Sequence, residues 1–304
     1  MDTFFIVVHG PTGVGKTDFI LSLGKKFPIE IINCDIGQMY EPISIGTAKP
    51  EWKKDPIPHH LFDTIITPQN YSVAQYRNDV QHKIEEISSR NAIPVLVGGS
   101  GFYGKSLFFP PHQEDHTTVS VEGTWDDLEK LDVDRAQSIH KNDNYRINRA
   151  LSIIASLGIQ ASKIRPVYNP LGNNFLVVYL HRDRQMLYNQ IDTRTGQMVD
   201  QGWIEEVKRL QGTEWEAFLK QKKLIGYPEI FEYLEGNVDK ETLIRTIQKK
   251  TRNYAKRQET FWRMFKNILE EQGVRDSIVE CNLSDEKEIN LLYKIIQERI
   301  LNED

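Results

Sequence analysis

Short apolar runs alternate with longer amphipathic stretches through the first third of the chain. The runs Phe4–Val8, Glu30–Asn33 and Ile93–Val97 are each followed by glycine or polar residues, which predicts three strands. Helices are predicted from near Thr17 and between Ser72 and Arg90, the second delivering the chain to the third strand. Phe175–Leu180 predicts a later strand, and from Thr193 onward the pattern is mostly helical. Strand and helix in alternation imply an α/β fold, a parallel sheet flanked by helices, with a helical C-terminal part.

Residues 108–140 have a different texture. Phe109-Pro110-Pro111-His112 breaks regular structure, and an acidic stretch follows through Asp115, Glu122, Asp126 and Asp127. This reads as a small inserted segment. Beside a nucleotide loop such a segment can act as a lid; an ordinary surface loop is the plain alternative. A second break runs from Arg165-Pro166 to Asn174. The expected organisation is a first core part at 1–107, an insert at 108–140, and the continuing core with C-terminal helices at 141–304.

Composition narrows the class. The 304 residues carry a net charge of −5, with 39% apolar and 27% charged residues, as a soluble globular chain does. No apolar run approaches the roughly 20 residues that cross a bilayer, and the N-terminus lacks a basic signal-peptide region. Cys34 and Cys281 are the two cysteines, without metal-ligand spacing, so a reducing, cytoplasmic setting without disulfides or structural zinc is expected. A monomer with no membrane partner fits. The acidic total hides one basic segment: from Arg245 to Lys266 there are eight basic residues and one acid, Glu259. Arg245, Lys249, Arg252, Lys256 and Arg263 recur at helical spacing, with Ile247, Tyr254, Phe261, Phe265 and Ile268 on the other face. Such a stripe is the footprint of a polyanion, or else a solvated helix face.

The strongest chemical signal is Gly10-Pro11-Thr12-Gly13-Val14-Gly15-Lys16-Thr17, a complete G-x4-G-K-[ST] P-loop between a strand and a helix. Its backbone N–H groups and helix N-terminus cradle a polyphosphate, Lys16 adds charge, and the Thr17 hydroxyl can reach Mg2+. Asp35 ends the second strand, where carboxyl ends line the ligand crevice. It could hold the metal, accept a proton, or cap a turn. The third strand ends in Gly98-Gly99-Ser100-Gly101 rather than an acid, which counts against a motor-type ATPase. Ser100 could donate to a ligand or sit in a turn. His59 and His60 are expected in loop or core hydrogen bonds rather than at a metal. Arg182, Arg184 and Arg194 are candidates to neutralise a leaving diphosphate.

Taken together, these motifs resemble the tRNA dimethylallyltransferase (tRNA isopentenyltransferase) family. The P-loop is joined by Asp35-Ile36-Gly37-Gln38-Met39-Tyr40, Ile45-Gly46-Thr47-Ala48-Lys49-Pro50, Pro58-His59-His60-Leu61, Gly98 to Tyr103, Ile225-Gly226-Tyr227 and Thr251 to Gln258, in the family's order. The resemblance implies transfer of a dimethylallyl group from dimethylallyl diphosphate to N6 of the adenine 3′-adjacent to the anticodon. It makes Asp35 the base, and gives the diphosphate to residues 10–17 with Mg2+ on Thr17. Among the arginines it selects Arg194, through Arg194-Thr195-Gly196-Gln197-Met198. Ser100 stands for the family's threonine. Gln38, beside Ile36 and Gly37, helps to hold the extruded base, and Tyr145, Arg146, Arg149, Arg252, Lys256 and Arg257 face the tRNA. Ile36, Gln190 and Tyr145 depart from the family's serine, arginine and glutamine, and the insert is shorter than usual. The competing readings are a free adenine-nucleotide isopentenyltransferase, a small-molecule P-loop kinase and a non-catalytic tRNA-binding protein.

Overall fold

Strands that are buried on both faces need side chains that are apolar throughout, and β1 (Phe5–His9) and β5 (Phe175–His181) have them. The computed structural model describes residues 3–111 and 119–301. His112 and Asp115 of the expected insert lie outside the described residues.

In chain order the elements are β1, α1 (Lys16–Gly24), β2 (Ile29–Asn33), α2 (Ile36–Met39), β3 (His59–His60), α3 (Val73–Ser88), β4 (Ile93–Gly98) and α4 (Gly101–Ser106). Then come α5 (Trp125–Leu131), α6 (Val133–Gln137), α7 (Asn144–Leu157), β5, α8 (Arg184–Asp200), α9 (Trp203–Leu210), α10 (Glu214–Lys222), α11 (Tyr227–Leu234), α12 (Lys240–Glu270), β6 (Ile278–Asn282) and α13 (Glu286–Leu301).

The chain forms two compact units. The first comprises residues 1–108 and 170–304, and the second residues 109–169. In the first, six strands form one parallel sheet in the order β3-β2-β4-β1-β5-β6. Ile6 and Val8 of β1 pack with Ile20 and Leu23 of α1 and Leu187 and Ile191 of α8. Burying side chains of this size stabilises by about 1.5–3 kcal/mol each, before the entropy of ordering them is set against it.

Two strands escape the sequence pattern. β3 is only two residues long, and its His60 bonds to the buried Glu30 on β2 at 2.7 Å while Arg90 grips the same carboxylate at 2.8 Å. His59 Nδ1 meets Ile57 O at 2.7 Å. Polar side chains thus take the place of the apolar signature that marks a strand. β6 is a short edge strand pairing with β5, enclosed between helical segments. α8 starts at Arg184, earlier than the sequence pattern suggests, because the Asp183 side chain caps it at Gln185 N.

The second unit extends to Asn169, so a boundary at 140 cuts through it. The reason is α7. Its Ile147, Ala150 and Leu151 pack on Leu128, Ala136 and Ile139, making one small core out of α5, α6 and α7. Asp143 caps the start of α7, and Gly158, at φ 68°, closes its end. Tyr145 and Arg146 of α7 are exposed and Arg149 is half-buried.

α12 is a single helix of 31 residues. Leu243, Ile247, Ala255, Trp262, Phe265 and Leu269 form its buried side. The basic stripe is shorter than its sequence suggests. Arg252 pairs with Asp192, Lys250 with the buried Glu229, Lys266 with Glu280 and Arg245 with Glu241. Lys249, Lys256, Arg257 and Arg263 are exposed.

Candidate active site

The phosphate loop links β1 to α1. Gly13 and Gly15 take left-handed backbone, at φ 81° and 102°, which side chains of L-residues rarely adopt. Val14 is fully buried and anchors the loop. Arg182 props it from beneath, donating through Nε to Val14 O at 2.8 Å and through Nη1 to Leu283 O at 3.1 Å. Lys16 turns back over the loop and donates to Gly10 O at 2.9 Å and Pro11 O at 3.0 Å. Burial pushes its ammonium pKa down to about 8, against the pull of the nearby Asp35.

Asp35 ends the turn after β2. Its Oδ1 accepts from Gly37 N at 3.1 Å, so it caps α2 and faces the cleft at once. Asn33 holds the turn by accepting from Asp35 N at 2.9 Å and donating to Asp35 O at 3.0 Å. Burial raises the Asp35 pKa above the ordinary carboxylate value. The Gly37 bond, Lys16 and Arg194 each oppose that rise. Gly98 is needed where β4 runs beside this turn, because any side chain there would strike the Cys34 carbonyl. Ser100 is buried and its Oγ accepts from Ile36 N at 3.4 Å.

Two cavities meet at this carboxylate. One, of about 570 Å3, is bounded by Lys16, Thr17, Gln38, Gln190, Arg194 and Gln258 among others. The second, of about 260 Å3, is bounded by Ile36, Gly37, Ser100, Met198, Tyr254 and Arg257 together with Leu224 and Ile225. Thr12, Asp35, Thr47 and Arg194 border both. Of the three candidate arginines, Arg194 alone borders the cavities among the described residues: Arg182 is committed to the loop's scaffold and Arg184 stands at the start of α8. Burial works against the Arg194 charge and Asp35 works for it. Gln38 is tied up by the neighbouring loop, donating to Thr47 O at 3.1 Å and Ala48 O at 3.3 Å. Gly10, Pro11 and Val14 build the phosphate loop; Arg252 and Lys256 lie along α12, and Tyr145, Arg146 and Arg149 belong to the second unit.

Two further residues shape the site, and the sequence motifs gave neither a role. Gln258 on α12 accepts from Thr12 N and donates to Gly99 O, both at 2.8 Å. Its signal is its place at the end of the Thr251–Gln258 segment. Glu206 on α9 is buried and accepts from Ser44 N, Ile45 N and Gly46 N at 2.8, 2.7 and 3.2 Å, and from Tyr227 Oη at 2.9 Å. It thereby fixes the segment that carries Thr47 into the cleft. An acid that serves distant backbone amides leaves no local pattern in the sequence. Gly46 and Gly226 both pack against Trp203, which leaves no room for a side chain at either.

Among the described residues no group of three or more His, Cys, Asp or Glu could hold a metal. That donor set suits an ion that arrives with a diphosphate, takes one or two protein oxygens and keeps its waters, as Mg2+ does. Thr17, with Asp18 close by, borders the polar cavity where such an ion would sit. Among the described residues no helix is long and apolar enough to cross a membrane.

The family model for IPP transferase matches residues 38–265. The tRNA dimethylallyltransferase of Fervidobacterium nodosum is 37% identical over 278 residues, 87% of this chain and 89% of its own length. That of Natranaerobius thermophilus is 34% identical over 280 residues, covering 86% and 84%. Among solved structures, the tRNA isopentenylpyrophosphate transferase of Bacillus halodurans superposes with a TM-score of 0.68 at 28% identity, over 99% of this chain and 98% of that one. A eukaryotic dimethylallyltransferase acting on tRNA gives a TM-score of 0.72 at 26% identity, over 92% and 74%. A match that runs from the turn after β2 into the last third of α12, with relatives aligned over most of their length, makes this chain a member of the IPP transferase family.

Proposed function

We propose that the chain transfers a dimethylallyl group from dimethylallyl diphosphate to N6 of the adenine 3′-adjacent to the anticodon of tRNA, releasing diphosphate. The observation that carries this reading is the border shared by the two cavities at Asp35 and Arg194. A group transfer needs two ligands to meet where one group can take a proton and another can meet a leaving anion. The polar cavity beside the phosphate loop suits the diphosphate. The second, with Met198, Leu224, Ile225 and Tyr254, offers apolar and aromatic surface for a prenyl chain and a purine ring.

The chemistry follows from these side chains. An adenine N6 is a weak nucleophile, and Asp35, its pKa raised by burial, is suited to take the amine proton as the N6–C1 bond forms. As the C1–O bond breaks, charge grows on the diphosphate, where Lys16, Arg194 and the loop amides meet it. Mg2+ on the diphosphate, with Thr17 as a ligand, would neutralise part of that charge. The adenine must leave its stack to reach Asp35. Lys256 and Arg257 on α12, with Tyr145, Arg146 and Arg149 on α7, are suited to the anticodon stem-loop, which makes the second unit an RNA-facing insert. The chain would act as a cytoplasmic monomer. β4 ends in glycines rather than an acid, which disfavours a kinase.

The test is mass spectrometry of tRNA nucleosides after incubation with dimethylallyl diphosphate and Mg2+. Dimethylallyl adenosine in tRNA is expected, and a chelator should suppress it. Prenylation of free AMP with none in tRNA would favour the nucleotide enzyme, and phosphate transfer from ATP the kinase.

A further inference from the structure

The two halves of the cleft come from chain segments far apart in sequence, and one side chain ties them together. Gln258 Oε1 accepts from Thr12 N at 2.8 Å, and its Nε2 donates to Gly99 O at 2.8 Å. A backbone N–H on one side and a carbonyl on the other allow only one orientation of the amide. On the diphosphate side the chain of contacts continues from Thr12 Oγ1 to Arg194 Nη2 at 2.6 Å. On the other side Gly99 precedes Ser100, whose Oγ accepts from Ile36 N at 3.4 Å, the residue after Asp35. Gly99 has no room for a side chain because Gln258 fills that space.

We propose that Gln258 is a positioning residue that sets the separation between the loop holding the diphosphate and the Ser100–Asp35 edge that receives the adenine. It touches neither reacting atom. Its two bonds brace Thr12 against Gly99, so that N6, C1 and the departing oxygen line up. Misplacement by about 1 Å costs about 100-fold in such a reaction. Binding of either substrate alone draws on one half and needs the brace less. The inference rests on the proposed reaction.

The test compares Gln258→Glu and Gln258→Ala with the parent chain in prenylation of tRNA, with melting temperatures recorded alongside. A carboxylate at 258 can accept from Thr12 N but sets an oxygen against Gly99 O. A protonated acid restores a donor and an acceptor in the same shape. The carbonyl it faces raises its pKa, which brings the protonated form within reach. At about pH 8, kcat of the Glu variant should fall roughly tenfold or more, while KM for dimethylallyl diphosphate changes less than about threefold. As pH falls to about 5.5, the ratio of its kcat to the parent's should climb, whereas the Ala ratio stays low and flat. Both variants within twofold of the parent, or a Glu ratio that does not move with pH, would overturn the inference alone. A parent chain that prenylates no tRNA would overturn the proposed function and this inference with it.

Discussion

Arg194 and Thr12 meet across 182 residues of sequence, Arg194 Nη2 donating to Thr12 Oγ1 at 2.6 Å. A helix that follows the fifth strand thus supplies the cation over a loop that follows the first. Burial makes an isolated guanidinium costly there, and Asp35 offsets that cost.

Replacing Arg194 by lysine should therefore not be conservative. A lysine keeps the charge but loses the planar fork that reaches both Thr12 and a diphosphate oxygen. We expect kcat to drop about 100-fold, with a smaller effect on tRNA affinity. Steady-state kinetics with tRNA in excess reads this directly; a drop under threefold would remove Arg194 from leaving-group stabilisation.

Asp35→Asn keeps the Gly37 hydrogen bond and the cap of α2 but cannot take a proton. Prenylation should fall by at least about 100-fold while tRNA binding is largely spared. In the parent chain kcat/KM should fall as pH drops through the Asp35 pKa, above the ordinary carboxylate value because burial disfavours the charged form. A pH profile whose acidic limb lies at or below the usual carboxylate range would contradict this assignment.

Lys16 has its pKa at about 8 in the free chain because burial disfavours its charge. A bound diphosphate restores the proton. Binding of pyrophosphate should weaken as pH rises above about 8 and take up protons there. Calorimetry in two buffers of different ionisation enthalpy measures that uptake, which Lys16→Met should abolish.

His9, at the end of β1, is the buried group most exposed to acid. Its ring is enclosed by Trp262, Phe265 and Gly104, and its Nδ1 meets Gly98 O at 3.3 Å. Burial pushes its pKa from 6.5 down to about 4, so the unfolded chain binds a proton that the native one refuses. Stability present at neutral pH should be lost as pH falls from about 6.5 to about 4, by up to about 3 kcal/mol. Urea denaturation across that range should show a shallower loss in His9→Gln.

The sequence by itself determined what local periodicity and backbone geometry can encode. Apolar runs with strand period gave β1, β2, β4 and β5, because central parallel strands are buried on both faces. The glycines of the phosphate loop announced a left-handed backbone, and the ordered motifs announced the family. The tertiary structure alone decided matters that depend on distant partners. It drew Arg194 rather than Arg182 to the cleft, because Arg182 is spent on Val14 and Leu283. It paired much of the α12 stripe with Asp192, Glu229 and Glu280, since charge pairing across elements has no sequence period. It gave Gln258 and Glu206 their places by hydrogen bonds to backbone groups more than 150 residues away. Backbone amides and carbonyls look the same at every position, so no pattern of side chains can foretell which of them a remote residue will hold.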